Sequence, residues 1–357
     1  MKKTCLASAL VLCCALGLGV AACDSGDGAV TTQAAEATEG PTLFPAVVSD
    51  LTGYIDKSGR MVIEPQFDQG DVFHEGLAAV MVGGMYGYID TTGAYVVEPR
   101  FDAADVEAPS YFSEGLAAVA VDGRFGYIDR TGKIVIEPQF EEARDFHEGM
   151  VAVMVDGLWG YIDTSGKVVI ELQFDEAWYF SEGAAVVVLN DNFGYIDTTG
   201  AYIVEPQYFS AGPFSAGLAA VSRQEGPAGE IDDTIAFALG YIDKTGTFVI
   251  EPQFDDGWQF VDGSAVVGLN GKYGYIDEAG AFIIEPQFEY GYEFSEGLAA
   301  VSVDGKWGYI DKTGAVVIQA EYEWADSFSG GLATVLQGGD FTAAYIDKSG
   351  KVVWQSD

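Results

Sequence analysis

The chain has 357 residues, of which 49% are apolar and 13% aromatic, enough for a large core and too many for a disordered polymer. Acidic residues outnumber basic ones 55 to 17, a formal charge of −38 that argues against nucleic acid and anionic lipid heads as partners. Cations, neutral sugars and proteins suit this charge better, although a solvated acidic surface would account for it as well.

The first element is a targeting segment. Lys2 and Lys3 precede an apolar run from Leu6 to Val20, followed by "VAAC" at 20–23, the pattern of a signal peptide and too short for a comfortable membrane span. Its end resembles the lipobox of bacterial lipoproteins. That resemblance implies removal of residues 1–22 and acylation of Cys23, with ordinary signal-peptidase cleavage as the alternative. Two acyl chains on one residue hold a protein stably on a bilayer. Cys5, Cys13 and Cys14 leave with the signal peptide, so no disulfide, thiol nucleophile or thiolate metal site is expected, and no cofactor. Residues 23–43 then form a flexible tether of Gly, Ala, Thr and acid, reaching on the order of 25 Å. The expected location is extracytoplasmic, on the outer face of a membrane of the bacterial envelope.

Residues 44–357 are repeat throughout, with no linker dividing them. "YID" occurs nine times, at Tyr54, Tyr88, Tyr127, Tyr161, Tyr195, Tyr241, Tyr275, Tyr309 and Tyr345, and five of the eight spacings are 34 residues. Within a unit, a small-residue strand such as "LAAVSV" at 298–303 leads to Asp304-Gly305, a dipeptide suited to a two-residue hairpin turn. "KWGYID" follows, then a second turn closed by Gly314, then a β-branched run expected to be apolar on both faces. A connector such as "PQFDQGDVFHEG" leads to the next unit, with room for a short fourth strand. The expected fold is all-β: nine tandem antiparallel β-meander repeats stacked as in a propeller, the small strands near the axis, with an open superhelical solenoid as the alternative.

Trp159-Gly160 and Trp307-Gly308, the related pairs at Tyr86, Phe125, Phe193 and Tyr273, and the recurring "EGLAAV" and "EPQF" together resemble the bacterial WG repeat family. The resemblance implies an exported β-repeat that binds partners, and it brings no catalytic residues. Leu239, Ala343-Ala344 and Gln319-Ala320 depart from its pattern.

The repeated residues have structural explanations. Trp307 and Tyr309 share one strand face, and Gly308 between them is expected to leave a gap for an aromatic of a neighbouring unit. The recurring Asp after "YI" suits a backbone-capping turn rather than a calcium loop. His74 and His147 occupy a slot that elsewhere holds Ser or Val, which suggests an exposed loop rather than an acid–base centre. No nucleophile elbow, phosphate loop or metal-ligand spacing is present.

Decoration of the connectors is more informative. The position four residues after the Phe or Tyr of "PQF" is Asp71, Arg144, Trp178, Gly212, Trp258, Tyr292 or Asp326. Trp178, Trp258 and Tyr292, with Tyr290 and Trp324 nearby, are the candidate ligand-binding residues, because optional aromatics on an acidic loop suit sugar stacking or cation binding. The insertion at 223–237 is a second candidate contact. These features predict a lipid-anchored, non-catalytic scaffold for a glycan, peptide or protein. An envelope carbohydrate hydrolase and a purely structural spacer are the alternatives.

Overall fold

The computed structural model describes residues 42–102, 110–224, 237–338 and 342–356. The signal peptide, Cys23, most of the tether and most of the 223–237 insertion lie outside them.

The described residues form nine small antiparallel sheets in chain order, each a three- or four-stranded meander, with no helix among them. Two-residue turns at positive φ join the second and third strands, as at Asp304 (φ 51) and Gly305 (φ 72), the geometry the Asp-Gly dipeptide favours. The connector supplies the expected fourth strand, two residues long in most blades and six in blade 5 (Glu176–Ser181).

Apolar clusters form between successive sheets, each drawing on two blades. Tyr275, Ile284 and Phe288 of blade 7 pack on Phe294, Val301 and Ile310 of blade 8. Tyr309 faces the opposite way, with Trp307, into the cluster shared with blade 9. This is the face alternation expected of the strand.

The ring closes. Phe44, Ala46 and Ile55 of blade 1 pack with Leu332, Tyr345, Val353 and Trp354 of blade 9. The Tyr345 hydroxyl donates to the Pro45 carbonyl oxygen at 2.9 Å, across 300 residues of chain. A nine-bladed propeller therefore replaces the open solenoid. Among the described residues no strand of one end enters the sheet of the other, and the seam they show is made by packing and side-chain hydrogen bonding.

Three expectations about the strands are refined or corrected. The third β-branched run is apolar on both faces but buried on only one: it is the outer strand, with Ile284 buried and Ile283 45% exposed. In the seven four-stranded blades the small-residue strand is second in the sheet, because the connector strand pairs with its free edge. The Gly of the aromatic-Gly pair makes room for backbone of its own blade, not for a neighbouring ring. A Cβ on Gly308 would lie 2.6 Å from the Ala320 nitrogen and the Ile318 carbonyl oxygen. Trp307 pairs with Tyr322 while Tyr309 pairs with Ile318, so two extra residues bulge out of the outer strand against that Gly. Blade 9 supports this reading: Ala344 replaces the Gly, and Ala344↔Gln355 and Tyr345↔Trp354 pair without that bulge.

Candidate aromatic binding site

The connectors are held by the constant part of the repeat. Each "YID" tyrosine is almost fully buried apart from Tyr345, and all nine donate a hydrogen bond from the hydroxyl to a main-chain carbonyl. In most blades the acceptor lies 17 residues later, at the variable connector position itself: Tyr161 to Trp178 (2.7 Å), Tyr241 to Trp258 (2.8 Å) and Tyr275 to Tyr292 (2.9 Å). A constant residue thus fixes the backbone from which a variable side chain projects. Burial pushes these hydroxyls well above the usual phenol range, so they stay neutral donors.

The turn aspartates behave as caps. Asp311 Oδ1 accepts from the Thr313 amide at 2.8 Å, the Thr313 hydroxyl at 2.6 Å and the Ala315 amide at 3.1 Å. These bonds hold its carboxyl below the usual range, as in seven other copies.

The His and Ser slot is half-buried between blades, not an exposed loop. Ser181 Oγ donates to the Phe214 carbonyl of the next blade at 2.7 Å, and Ser295 Oγ does the same to Phe328 at 2.6 Å. His74 stacks on Tyr111 of the next blade at 4.2 Å. Beside this slot, Glu114, Glu148 and Glu182 each accept the amide of the following blade's turn Gly at 2.8–3.0 Å. Ala216 and Asp262 occupy that Glu position in blades 6 and 7, where the ladder is interrupted before Glu296 resumes it.

In blades 4, 5, 7 and 8 the side chain at the variable connector position lies against the aromatic of the aromatic-Gly pair in its own blade. Arg144 lies 4.9 Å above the Trp159 ring, Trp178 meets Phe193 edge-on at 6.3 Å, Trp258 meets Tyr273 at 5.6 Å, and Tyr292 stacks on Trp307 at 5.0 Å. In blades 7 and 8 these pairs merge, because Tyr290 stands between them. Its ring lies 5.6 Å from Trp258, 4.9 Å from Tyr273, 5.7 Å from Tyr292 and 5.9 Å from Trp307. All five rings are half-buried, so the group presents a continuous partly exposed aromatic surface.

Of the five candidates, Trp258, Tyr290 and Tyr292 are brought together. Trp178 pairs with Phe193 two blades away, and Trp324 sits in blade 9 opposite Leu336; neither joins the group. Sequence reasoning assigned Tyr273 and Trp307 to packing. The signal that could have found them is the recurring separation of 17 residues, which relates Tyr273 to Asp256 on one side and to Tyr290 on the other.

One carboxylate is bonded to the group. The Tyr273 hydroxyl donates to Asp256 Oδ2 at 3.0 Å, and burial together with that carboxylate raises the tyrosine's pKa. Glu293, next to Tyr292, is held above the usual carboxylate range by burial, as are Asp71 and Asp326 on other connectors. Among the described residues no ion pair reaches any of these three carboxylates, and none forms a group with metal-ligand geometry.

A crystal structure of a eukaryotic initiation factor superposes with a TM-score of 0.60 at 12% identity, covering 88% of this chain and 96% of that one, a likeness of fold alone. BamB from Moraxella catarrhalis (TM-score 0.42, 12% identity, 87% of this chain and 92% of that one) and Hsv2p from Kluyveromyces lactis (0.41, 10%, 66% and 90%) resemble it too weakly to bear on function. No curated protein matches the chain. The family model described as "WG containing repeat" matches residues 53–86, 86–124, 125–159, 159–193, 193–226, 240–273, 273–307 and 307–339. These frames run from the "YID" strand of one blade to near the same strand of the next. With these matches spanning most of its length, the chain belongs to the WG-containing repeat family.

Proposed function

We propose that this protein is a non-catalytic binding scaffold, anchored by acyl chains on Cys23 to the outer face of a bacterial membrane, that holds an extracytoplasmic glycan, peptide or protein on the aromatic surface of blades 7 and 8. The observation that carries this reading is the convergence of Trp258, Tyr273, Tyr290, Tyr292 and Trp307 on a rigid ring. Half-exposed aromatic anchors give a large contact area with few rotatable bonds, which is why they dominate binding hot spots. The inter-blade hydrogen bonds and packed clusters hold the rings in place before a partner arrives, which lowers the ordering cost of binding.

The test is a screen of envelope glycans and peptides against the native chain and a Trp258→Ala/Tyr292→Ala variant. Loss of at least tenfold in affinity for the bound ligand is expected. Unchanged binding by a variant with a native melting profile would overturn the assignment of the site. Labelled palmitate incorporated by the producing bacterium should be lost in Cys23→Ser.

A further inference from the structure

The chain contains its own precedent for what such a surface takes. In blade 4 the variable connector position is Arg144, whose guanidinium lies 4.9 Å over the Trp159 ring. In blade 8 the position is Tyr292, stacked on the equivalent Trp307. The two connectors share a backbone arrangement, since the amides of Arg144 and Tyr292 donate to Ala152 and Ala300 in matching strands. Other cations also seek rings: Arg223 lies 4.7 Å over Phe248, and Arg100 lies 4.9 Å over Phe101. Aromatic faces of this ring are therefore covered by guanidinium at several places, and blades 7 and 8 have aromatic faces in the same setting without an arginine of their own.

Charge points the same way. Residues 255–312 carry eleven acids and three lysines. Lys306 is already paired with Glu323 at 2.5 Å and Lys312 with Asp262 at 2.6 Å. Asp256 lies at the edge of the rings, where its Oδ2 accepts from the Tyr273 hydroxyl at 3.0 Å. A cation over these rings gains from the ring quadrupoles and from the charge of the adjacent carboxylate together, whereas a neutral sugar gains from stacking and hydrogen bonds but not from that charge.

We infer that the aromatic surface of blades 7 and 8 is a receptor for a basic segment of a protein partner, with lysine or arginine side chains seated on Trp258, Tyr290, Tyr292 and Trp307 beside Asp256. This rests on the reading of blades 7 and 8 as the binding site and names its ligand class. The acidic surface steers the segment in from a distance, so binding weakens as salt rises.

The experiment titrates the detergent-solubilised full chain with octalysine, octaarginine and a neutral chitin hexamer, following tryptophan fluorescence. Both basic peptides are expected to bind. Tyr292→Ala and Asp256→Asn should each weaken them at least tenfold, while Glu137→Gln/Glu171→Gln on the exposed outer strands of blades 3 and 4 should not. Basic peptides binding equally to all variants would mean attraction to the acidic surface at large and would overturn the inference. Binding of the hexamer but not the peptides, lost in Tyr292→Ala, would overturn the ligand class and leave the site standing. Failure of all three probes, together with unchanged binding by the Trp258→Ala/Tyr292→Ala variant in the wider screen, would overturn both.

Discussion

Blade 4 and blade 8 share one fold and differ in what their connectors display, Glu142 and Arg144 in one and Tyr290 and Tyr292 in the other. In blade 4 Arg144 covers Trp159, which is 5% exposed; in blade 8 Tyr292 stacks on Trp307, which stays half-exposed and joins the rings of blade 7 through Tyr290. The backbone beneath both is held by a buried tyrosine, Tyr127 for Arg144 (2.7 Å) and Tyr275 for Tyr292 (2.9 Å). The scaffold is therefore indifferent to what it displays. The repeated residues make the ring, and the unrepeated ones decide whether a stretch of it is capped from within or available to a partner.

This comparison can be broken most forcefully by attacking the shared support. Tyr309→Ala removes a buried ring and its hydroxyl bond to the Asp326 carbonyl, and should cost about 3–5 kcal/mol in urea unfolding. Trp307→Ala in the same strand removes a half-exposed ring and should cost visibly less. Equal losses would mean that the site aromatics are core after all. The exchange Tyr292→Arg places a cation over Trp307 as Arg144 does over Trp159, and should abolish binding of basic peptides while stability changes by less than about 1 kcal/mol. Retained peptide affinity in that variant would show that blade 8 does not use the slot.

A finer test concerns pH. Burial raises the folded pKa of Asp71, Glu293 and Asp326, so each opposes folding once ionised and its cost is relieved as pH falls through that raised value. The turn aspartates have lowered values, about 2 for Asp56, so their contribution is present above the ordinary carboxylate range and is lost as pH falls through their folded values. The melting temperature should therefore rise on mild acidification and then fall in strong acid. In Glu293→Gln the rise should shrink while the fall remains. The smallest effect is expected at blade 4, where Arg144→Ala should lose about 0.5–1 kcal/mol, the worth of an exposed cation–π contact.

Much of the fold was legible before any coordinates. Asp-Gly and Asn-Gly pairs specify tight hairpins through local sterics, and the "YID" spacing counts the blades. The role of Gly308 was not legible, because the two-residue bulge it faces is set by cross-strand register rather than by its neighbours in sequence. The site was half legible. Trp258, Tyr290 and Tyr292 stood out as departures from the repeat, whereas Tyr273 and Trp307 were hidden because they conform to it. Trp178 looked equivalent to Trp258, yet it packs with Phe193 against the cluster of Tyr208 and Phe214 in blades 5 and 6 rather than with the rings of blades 7 and 8.

The sequence by itself determined the repeating unit, the number of copies and the turn chemistry, since these follow from local backbone preference and side-chain alternation. Tertiary structure alone decided the rest. Closure depends on blade 1 meeting blade 9 through Phe44, Tyr345 and the Pro45 carbonyl, contacts that no local rule relates. The aromatic surface likewise exists because stacking brings side chains of two blades within about 6 Å of Tyr290, a distance fixed by how neighbouring sheets pack rather than by separation along the chain.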